Sequence, residues 1–258
     1  MQDLKLTLVQ AHLFWSSPEK NRNHIEGLLS QLEHVGDLII LPEMFSTGFN
    51  MEPKEHAEKQ RGPTEEWMKK IAQKYDAAIT GSIIVEEDSK FFNRLLFVTP
   101  EDQSVKYDKR HLFGMAGEHE QYSSGSEKLI VEWRSWRIRP LICYDLRFPV
   151  WARNRNDYDL LIYVANWPKP RASAWDALLK ARAIENYAYC VGVNRIGEDA
   201  NDIVYEGGSI AYDPKGEAIS KASNVEQLIQ CTISKQSLEE YRAKFPVHLD
   251  ADDFTINP

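Results

Sequence analysis

The N-terminal third of the chain combines a period-two hydrophobic pattern with a helical one. Residues 4–10 alternate between apolar and polar positions, which predicts a β-strand, and the amphipathic stretch over 18–34 predicts a helix. The short apolar run 37–41 has the pattern of a strand buried on both faces. It ends at Pro42 and Glu43, so a carboxylate lies at the carboxyl end of a strand, where α/β sheets place their chemistry.

The middle of the chain continues this alternation of helix and strand. Residues 62–75 predict a helix, residues 77–85 and 91–98 predict two strands, and a shorter segment ends near Tyr107, just before Lys109. A polar, glycine-containing loop over 113–126 follows. Loops of this length inside a compact domain are commonly functional, so we expect this loop to contribute to a site.

A second predicted strand is followed directly by a cysteine at a turn. Strands predicted over 129–133 and 136–142 lead to Cys143, and Pro149 falls early in a helix that we expect to run to about residue 155. The apolar run 159–164 then ends in Ala-Asn-Trp-Pro and echoes the run before Glu43. This echo indicates an internally two-fold arrangement of the sheet strands.

The remaining pattern predicts a helix over 175–185, strands over 188–194, 208–213 and 225–233, and a final helix over 235–244. We find no low-complexity or Pro/Ser-rich stretch that would separate domains. The sequence therefore predicts one α/β domain over residues 1–258.

Composition excludes several classes of function. The 258 residues carry a formal net charge of −8 from acids spread along the chain, whereas nucleic-acid binding needs clustered Lys and Arg. No apolar run approaches the roughly 20 residues of a membrane helix, and the N-terminus lacks a signal-peptide pattern. We therefore expect a cytoplasmic protein with neither a nucleic-acid nor a membrane partner.

The residues that bind metals and cofactors do not form a known pattern here. The three cysteines are far apart and show no CxxC spacing, the seven histidines form no HExxH pair, and the acids form no calcium loop. We expect no metal and no cofactor. An odd number of thiols in a cytosolic protein leaves room for a catalytic cysteine.

Three side chains are candidates for chemistry. Backbone N–H groups at the turn that holds Cys143 would favour a thiolate and a developing oxyanion, although most free cysteines are only small buried hydrophobes. Glu43 is either a catalytic carboxylate or a helix cap or arginine partner. Lys109 taken alone is a solvated basic turn residue.

Taken together, these segments resemble the nitrilase (carbon–nitrogen hydrolase) superfamily, which is defined by a Glu-Lys-Cys triad in this chain order. The matching segments are Leu-Pro-Glu-Met-Phe at Glu43, Tyr-Asp-Lys-Arg-His-Leu-Phe at Lys109 and Ile-Cys-Tyr-Asp-Leu-Arg-Phe-Pro at Cys143. The similarity extends from the first strand to about residue 233. It implies an α-β-β-α sandwich of two packed mixed sheets flanked by helices.

The resemblance also implies a second active-site glutamate, commonly seven residues before a glycine. Glu118 has that spacing to Gly125, and Glu120 is the less favoured substitute. Segments 111–119, 165–168 and 175–186 are similar to the omega-amidase branch. Enzymes of this branch release ammonia from omega-amides of dicarboxylic acids such as 2-oxoglutaramate and succinamate, and family members usually form homodimers. Here the helices that contain Trp151 and residues 174–184 are candidates for the dimer contact.

The omega-amide substrate carries a carboxylate at its far end, and a buried carboxylate needs a guanidinium group or several hydrogen-bond donors to bind it. We favour Arg171, with Trp167 as an apolar wall and the backbone N–H of Tyr144 beside the reacting carbonyl. Arg147 is the competitor, but its position suggests that it pairs with a nearby acid instead. Arg195 and Tyr122 are further candidates, and the sequence does not favour one over the other.

Three rival interpretations remain open. A nitrilase or an N-carbamoyl amide hydrolase would use the same triad on another carbon–nitrogen bond. A non-catalytic binding protein could keep the fold, although the three intact triad residues argue against it. A metal-dependent amidase would need ligands for which the sequence shows no pattern.

Overall fold

A computed structural model of the chain describes residues 2–256. The strands within this range are β1 Leu4–Gln10, β2 Leu38–Ile40, β3 Glu58–Lys59, β4 Ala78–Glu87, β5 Lys90–Val98, β6 Ser104–Asp108, β7 Val131–Trp133, β8 Trp136–Ile142, β9 Leu160–Ala165, β10 Tyr189–Asn194, β11 Ile196–Glu198, β12 Val204–Glu206, β13 Ile210–Tyr212, β14 Ala218–Lys221 and β15 Gln227–Ile233. The α-helices are α1 Pro18–Leu29, α2 Pro53–His56, α3 Pro63–Tyr75, α4 Glu118–Gln121, α5 Pro149–Ala152, α6 Ala172–Asn186 and α7 Lys235–Lys244.

Two mixed sheets contain most of these strands. The first has the order β15-β1-β2-β4-β5-β6, with β3 paired to β4, and the second has the order β14-β13-β10-β9-β8-β7. Each sheet has a parallel trio, β1-β2-β4 in one and β8-β9-β10 in the other. The strands that end before Glu43 and Asn166, β2 and β9, are the middle strands of these trios. The echo in the sequence thus marks equivalent places in the two sheets.

Alternation along the strands decides what each face of a sheet packs against. Leu8 and Ile40 belong to the cluster that also contains Ile138 of β8, so this face contacts the second sheet. The neighbouring positions, Val9 and Ile39, instead belong to the cluster formed with α1 and α3. Burying each such side chain stabilises the fold by about 1.5–3 kcal/mol, so a register slip would cost several of these contributions at once.

Helix α6 covers the outer face of the second sheet. Its Leu179 and Trp175 approach β10 so closely that a Cβ added at Gly192 would lie 2.4 Å from Leu179 and 2.6 Å from Trp175. Helices therefore flank both sheets. The predicted α-β-β-α sandwich is confirmed.

The helix that was expected to contain Pro149 and run to about residue 155 is shorter than predicted, because α5 ends at Ala152, and it is separate from the Cys143 turn. A 3-10 turn spans Cys143–Arg147, and the short helix α5 begins only at Pro149. Phe148 adopts φ −116° and ψ 87° between them, because a residue that precedes proline is disfavoured in the helical region. The loop 113–126 also contains the short helix α4, and the β11–β12 hairpin was not predicted.

None of the helices within the described range is both long enough and apolar enough to cross a bilayer.

Candidate active site

Glu43 follows β2 and is completely buried. The backbone N–H of Leu41 donates to the carbonyl of Thr80 at 2.7 Å, so the strand continues almost to the glutamate. Met44 then turns with φ 42°, and its N–H donates to Ser82 Oγ at 2.8 Å. These bonds to β4 fix the backbone on both sides of the carboxylate, so its direction is set by the sheet.

Lys109 lies directly after β6 and is also buried. Its Nζ donates to Glu43 Oε1 at 2.8 Å and to both carboxylate oxygens of Glu118 at 2.9 Å. Glu118 is the first residue of α4, and its Oε2 also accepts the backbone N–H of Phe113. Two carboxylates from distant parts of the chain thus share one ammonium group.

The charges of this cluster shift each other's protonation. Burial opposes the ammonium charge, but the carboxylates of Glu118 and Glu43 outweigh it and raise the pKa of Lys109 above its ordinary value. Burial raises the pKa of Glu118, and Glu43 adds to this shift, while Lys109 opposes it. Lys109 therefore stays charged at any pH at which an enzyme works.

Cys143 begins its 3-10 turn in the left-handed region, with φ 42°. Asp145 holds this turn in place, because its carboxylate accepts the N–H of Ile142 at 3.1 Å, the hydroxyl of Tyr107 at 2.7 Å and the N–H of His111 at 3.0 Å. A non-glycine residue in this conformation is strained, and such strain concentrates at functional sites. The turn is therefore built to present the thiol.

Burial raises the pKa of the Cys143 thiol well above its ordinary value, and the charge of Glu43 raises it further, while Lys109 opposes the shift. The Cys143 Sγ lies 3.9 Å from the backbone carbonyl of Asn166, which can accept the S–H. The sulfur is consequently a neutral thiol at neutral pH. It becomes a nucleophile only if a base takes its proton during the attack.

A cavity of about 290 Å³ opens beside these groups. Lys109 and Cys143 line it, as do the three predicted substrate-binding residues Tyr144, Trp167 and Arg171. Trp167 is held by its Nε1, which donates to the carbonyl of Arg171 at 2.7 Å. The structure therefore brings these predicted residues to one place, next to the buried Glu43 and Glu118.

Two arginines line the cavity without an acid partner in residues 2–256. The guanidinium of Arg171 lies 5.1 Å from the ring centroid of Phe113, and that of Arg147 lies 5.0 Å from the centroid of Trp167. The expectation that Arg147 pairs with a nearby acid is wrong, because Asp145 points instead toward Tyr107 and His111. The cavity wall thus presents two positive charges.

The other candidates from the sequence lie away from the cavity wall. Arg195 is buried, and its Nη2 donates to the carbonyls of Leu13 and Glu198 at 3.0 and 3.1 Å. Tyr122 donates its hydroxyl to the carbonyl of Asn50. Neither residue lines the cavity. Both therefore support the surrounding loops.

The structure distinguishes the two glutamates of the loop. The Glu118 side chain is 0% exposed and contacts Lys109. The Glu120 side chain is 68% exposed, and the nearest ionisable partner of its carboxylate among the described residues is His119, at 4.0 Å. Glu118 is the glutamate that meets the cluster.

Two asparagines at the site were not predicted. Asn93 Nδ2 donates to Glu43 Oε1 at 2.8 Å and lies 3.3 Å from Glu118 Oε1. The backbone N–H of Asn166 donates to Glu43 Oε2 at 2.9 Å, and its Nδ2 donates to the Glu43 carbonyl at 2.7 Å. Asn166 follows its buried strand as Glu43 follows β2, and this equivalence was the signal available in the sequence.

The unpredicted β11–β12 hairpin forms one wall of the cavity through Asp199, Asn201, Ile203 and Tyr205. Asp199 shapes this wall, because its Oδ1 accepts the N–H of Asn201 at 2.8 Å and its Oδ2 accepts the Tyr205 hydroxyl at 2.8 Å. The hairpin is therefore a fixed part of the pocket.

Within residues 2–256, one group of side chains comes close enough together to hold a metal ion. Glu52, Glu55 and His56 have ligand atoms within 4.8 Å of one another. Both glutamates are exposed, and none of the three residues lines the cavity. This group is separate from the Glu43 cluster.

A match to a known family decides how this arrangement is classified. The family profile described as Carbon-nitrogen hydrolase matches residues 5–243, which is most of the chain. The chain belongs to the carbon–nitrogen hydrolase family. Its Glu43, Lys109 and Cys143 segments are those by which the sequence resembles that family.

Individual proteins similar to this carbon–nitrogen hydrolase cover its length almost completely. It is 48% identical over 259 residues to omega-amidase YafV of Escherichia coli K12, which covers 99% of this chain and 100% of the relative. It is 32% identical to 2-oxoglutaramate amidase of Bacillus subtilis, and the match covers 95% of this chain and 96% of the relative. The crystal structure of XC1258 from Xanthomonas campestris, a CN-hydrolase superfamily protein with an arsenic adduct in its active site, is 45% identical, with a TM-score of 0.97 over 100% of both chains.

Proposed function

We propose that this carbon–nitrogen hydrolase is an omega-amidase. Its substrate is the monoamide of a small dicarboxylic acid, such as 2-oxoglutaramate or succinamate, and its products are ammonia and the dicarboxylate. The names of the similar proteins from Escherichia coli and Bacillus subtilis support this substrate class. The observation that carries the proposal is a single cavity that presents Cys143 beside the Lys109–Glu43 pair and two arginines that lack an acid partner in the described range.

The acylation step needs a base because the thiol is neutral at rest. Glu43 takes the proton of Cys143 while Sγ attacks the amide carbon and forms the first tetrahedral intermediate. Glu43 then gives this proton to the amide nitrogen, the carbon–nitrogen bond breaks, and ammonia leaves. The acyl group remains on Cys143 as a thioester.

Deacylation repeats these proton transfers with water as the nucleophile. Glu43 takes a proton from the water that attacks the thioester, and the proton returns to the sulfur as the carbon–sulfur bond breaks. Lys109 and the backbone N–H of Tyr144 stabilise the oxyanion of both tetrahedral intermediates. Glu118 orients Lys109, to which it is bonded through both oxygens at 2.9 Å.

The far carboxylate of the substrate is bound by Arg171, with Arg147 as a second donor. Both guanidinium groups lie against aromatic rings that hold them in place without satisfying their N–H donors. Arginine binds carboxylates in a bidentate geometry, and Trp167 provides an apolar wall for the methylene chain. A substrate without the carboxylate would leave both charges unmatched.

An ammonia-release assay with matched substrates tests this proposal. Succinamide has the shape of succinamate but replaces its carboxylate by a neutral amide. We expect kcat/KM for succinamate to exceed that for succinamide by about 10²-fold or more, and Arg171→Gln to remove most of this preference. A simple nitrile and an N-carbamoyl amino acid are included as competitors. Faster turnover of either one, or of succinamide, would contradict the proposal.

We also propose that the enzyme acts as a cytoplasmic homodimer. The three cysteines are free thiols, and a catalytic thiol is best preserved in a reducing compartment. Val150 of α5 and Ile184 of α6 are 55% and 42% exposed on the two helices expected to form the dimer contact. Light scattering during size-exclusion chromatography would show twice the chain mass, whereas the mass of one chain would contradict a dimer.

A further inference from the structure

The carboxylate of Glu43 is bonded unequally at its two oxygens. Oε1 accepts the Lys109 ammonium at 2.8 Å and the Asn93 amide at 2.8 Å. Oε2 accepts the backbone N–H of Asn166 at 2.9 Å, and its second donor, Asn166 Nδ2, is 3.4 Å away. Asn166 Nδ2 has a better acceptor in the Glu43 carbonyl, at 2.7 Å.

This inequality decides which oxygen can receive a proton. A carboxylate oxygen has two lone pairs, and two short hydrogen bonds occupy both lone pairs of Oε1. A bond of 3.4 Å is near the limit of a hydrogen bond, so Oε2 keeps a position that another donor can take. Asn166 links Oε2 to the thiol, because its backbone N–H donates to Oε2 at 2.9 Å and its carbonyl lies 3.9 Å from Cys143 Sγ. The unoccupied position of Oε2 is therefore on the side of Glu43 that is nearest to the sulfur.

We propose that Asn93 is a positioning residue, which saturates Oε1 of Glu43 so that Oε2 takes the proton of Cys143. The proposal deepens the function proposed above, because it rests on Glu43 as the base of that reaction. Asn93 itself touches neither the substrate nor the sulfur. It acts through Glu43, from the middle of β5.

The bonding of Asn93 supports this role. Its side chain is fully buried, and both hydrogen-bond partners of Nδ2 are carboxylate oxygens, of Glu43 and Glu118. Because both partners are hydrogen-bond acceptors, the NH2 group of the Asn93 amide must face them and not its oxygen. This fixes the orientation of the side-chain amide. Its Oδ1 meets no protein donor in the described residues. All the polar bonding of the Asn93 side chain is thus directed to the two active-site carboxylates.

Asn93 also separates two groups that would otherwise compete for one proton. Glu43 and Glu118 both contact Lys109, so both carboxylates lie within a few ångströms of the same ammonium. Closely spaced buried carboxylates tend to share a proton, and a shared proton would remove the base. An N–H donor between them favours the ionised form of both and keeps Glu43 free to accept the proton of the thiol.

Alkylation of Cys143 tests the inference without using any amide substrate. Iodoacetamide reacts with the activated thiol, and peptide mass mapping separates Cys143 from Cys190 and Cys231. We expect Asn93→Leu, which fills the same space without a donor, to slow the alkylation of Cys143 at pH 7 about tenfold or more. The acid limb of its rate–pH profile should move to higher pH. Asn93→Ser, which keeps a donor, should recover part of the rate.

The kinetic constants for succinamate provide a second test, because a purely structural role of Asn93 would not lower kcat selectively. Asn93 does not line the cavity, so Asn93→Leu should lower kcat for succinamate and leave KM within about twofold. Asn186 is the matched control, because it is a buried asparagine that bonds to Asn154 and to the Arg182 carbonyl, away from the cavity. Asn186→Leu should lower the unfolding temperature and keep the pH profile.

The outcomes separate the two proposals. Wild-type rate and pH profile in Asn93→Leu, with only a lower unfolding temperature, would overturn the positioning role. A slowed, pH-shifted alkylation would support the role even if the wild-type enzyme did not hydrolyse succinamate. In that case the proposed substrate would be wrong and the inference about Glu43 would stand.

Discussion

Two buried charged clusters in this protein have opposite compositions. At the cavity, two carboxylates, Glu43 and Glu118, share the single ammonium of Lys109. At the start of β9, the single carboxylate of Asp159 is shared by three cations. These are Arg137 of β8 and Lys235 and Arg242 of α7.

The protonation of the two clusters differs accordingly. Burial opposes the charge of Asp159, but hydrogen bonds from Arg137 and Lys235 outweigh it and hold its pKa well below the ordinary range. In the cavity, burial and Glu43 raise the pKa of Glu118. The cation-rich cluster therefore fixes an acid in its charged form and ties α7 to the second sheet. The acid-rich cluster instead raises the pKa of Lys109 and keeps its ammonium charged beside Cys143.

The largest expected effect is the loss of activity without a loss of fold. Cys143→Ser should lower kcat/KM for the omega-amide by roughly 10⁴-fold or more, because the nucleophile and its base act as one unit. Its unfolding temperature should stay close to that of the wild type. Cys231→Ser, which changes a half-buried cysteine outside the cavity, should retain full activity. Equal losses of kcat/KM in both variants would contradict the assignment of Cys143 as the nucleophile.

Lys109→Met should affect both activity and stability. Turnover should fall about 10²-fold or more, because an oxyanion donor is lost. The free energy of unfolding should fall by about 3–5 kcal/mol, because two buried carboxylates lose their counter-ion. Adding Glu118→Gln should restore much of the stability and none of the turnover. Denaturant unfolding and an ammonia assay on the same samples check this, and recovered turnover in the double variant would contradict it.

Asp159→Asn should show the opposite behaviour. Three cations would face no acid, so we expect a loss of about 3–5 kcal/mol in the free energy of unfolding, with kcat unchanged within about twofold. Chemical denaturation and the ammonia assay measure the two quantities. If kcat fell in proportion to stability, the Asp159 cluster would be coupled to the active site.

The two clusters should also respond to pH with opposite signs. Because the folded-state pKa of Asp159 is lowered, its stabilisation is present above the unfolded value of about 4 and is lost as the pH falls below it. The stability gap between the wild type and Asp159→Asn should therefore narrow below about pH 4. The raised pKa of Glu118 gives a contribution that is present at low pH and is lost as the pH rises. Thermal unfolding from pH 3 to pH 8 tests both signs.

The smallest expected effect distinguishes the two loop glutamates. Glu118→Gln should lower turnover about tenfold or more, because Lys109 loses its orienting partner. Glu120→Gln changes an exposed side chain and should alter turnover by less than about twofold. Similar kinetics in the two variants would mean that Glu118 does not position Lys109.

The triad could be predicted because three separate segments resemble the family in the same chain order, and each triad residue also follows a strand. Lys109 and Cys143 lie directly after β6 and β8, and Glu43 lies three residues after the end of β2. The apolar runs that form such strands are visible in the sequence. The same resemblance implied a second glutamate, and Glu118 was chosen because it has the family's spacing to Gly125. The single-domain organisation over residues 1–258 stays a prediction.

The remaining parts of the site depend on side-chain direction, which sequence spacing does not give. Asn93 lies within a strand, where a polar residue usually indicates a solvent-facing position, yet it is buried between two carboxylates. Arg147 follows Asp145 closely, but the acid turns toward Tyr107 and the arginine toward the cavity. The β11–β12 hairpin shows no clear apolar period in the sequence. Its position depends instead on hydrogen bonds, from the Ile203 N–H to Asp199 and from Arg195 to the Glu198 carbonyl.

The chemical identity of the intermediate tests the whole account most directly. Wild-type protein would be mixed with succinamate, quenched in acid within the first turnovers, and digested for mass spectrometry. The account predicts a succinyl group on the peptide that contains Cys143, and about 10²-fold less of it in Lys109→Met quenched at the same time. Ammonia released without any succinyl group on that peptide, or with the group on another residue, would contradict it.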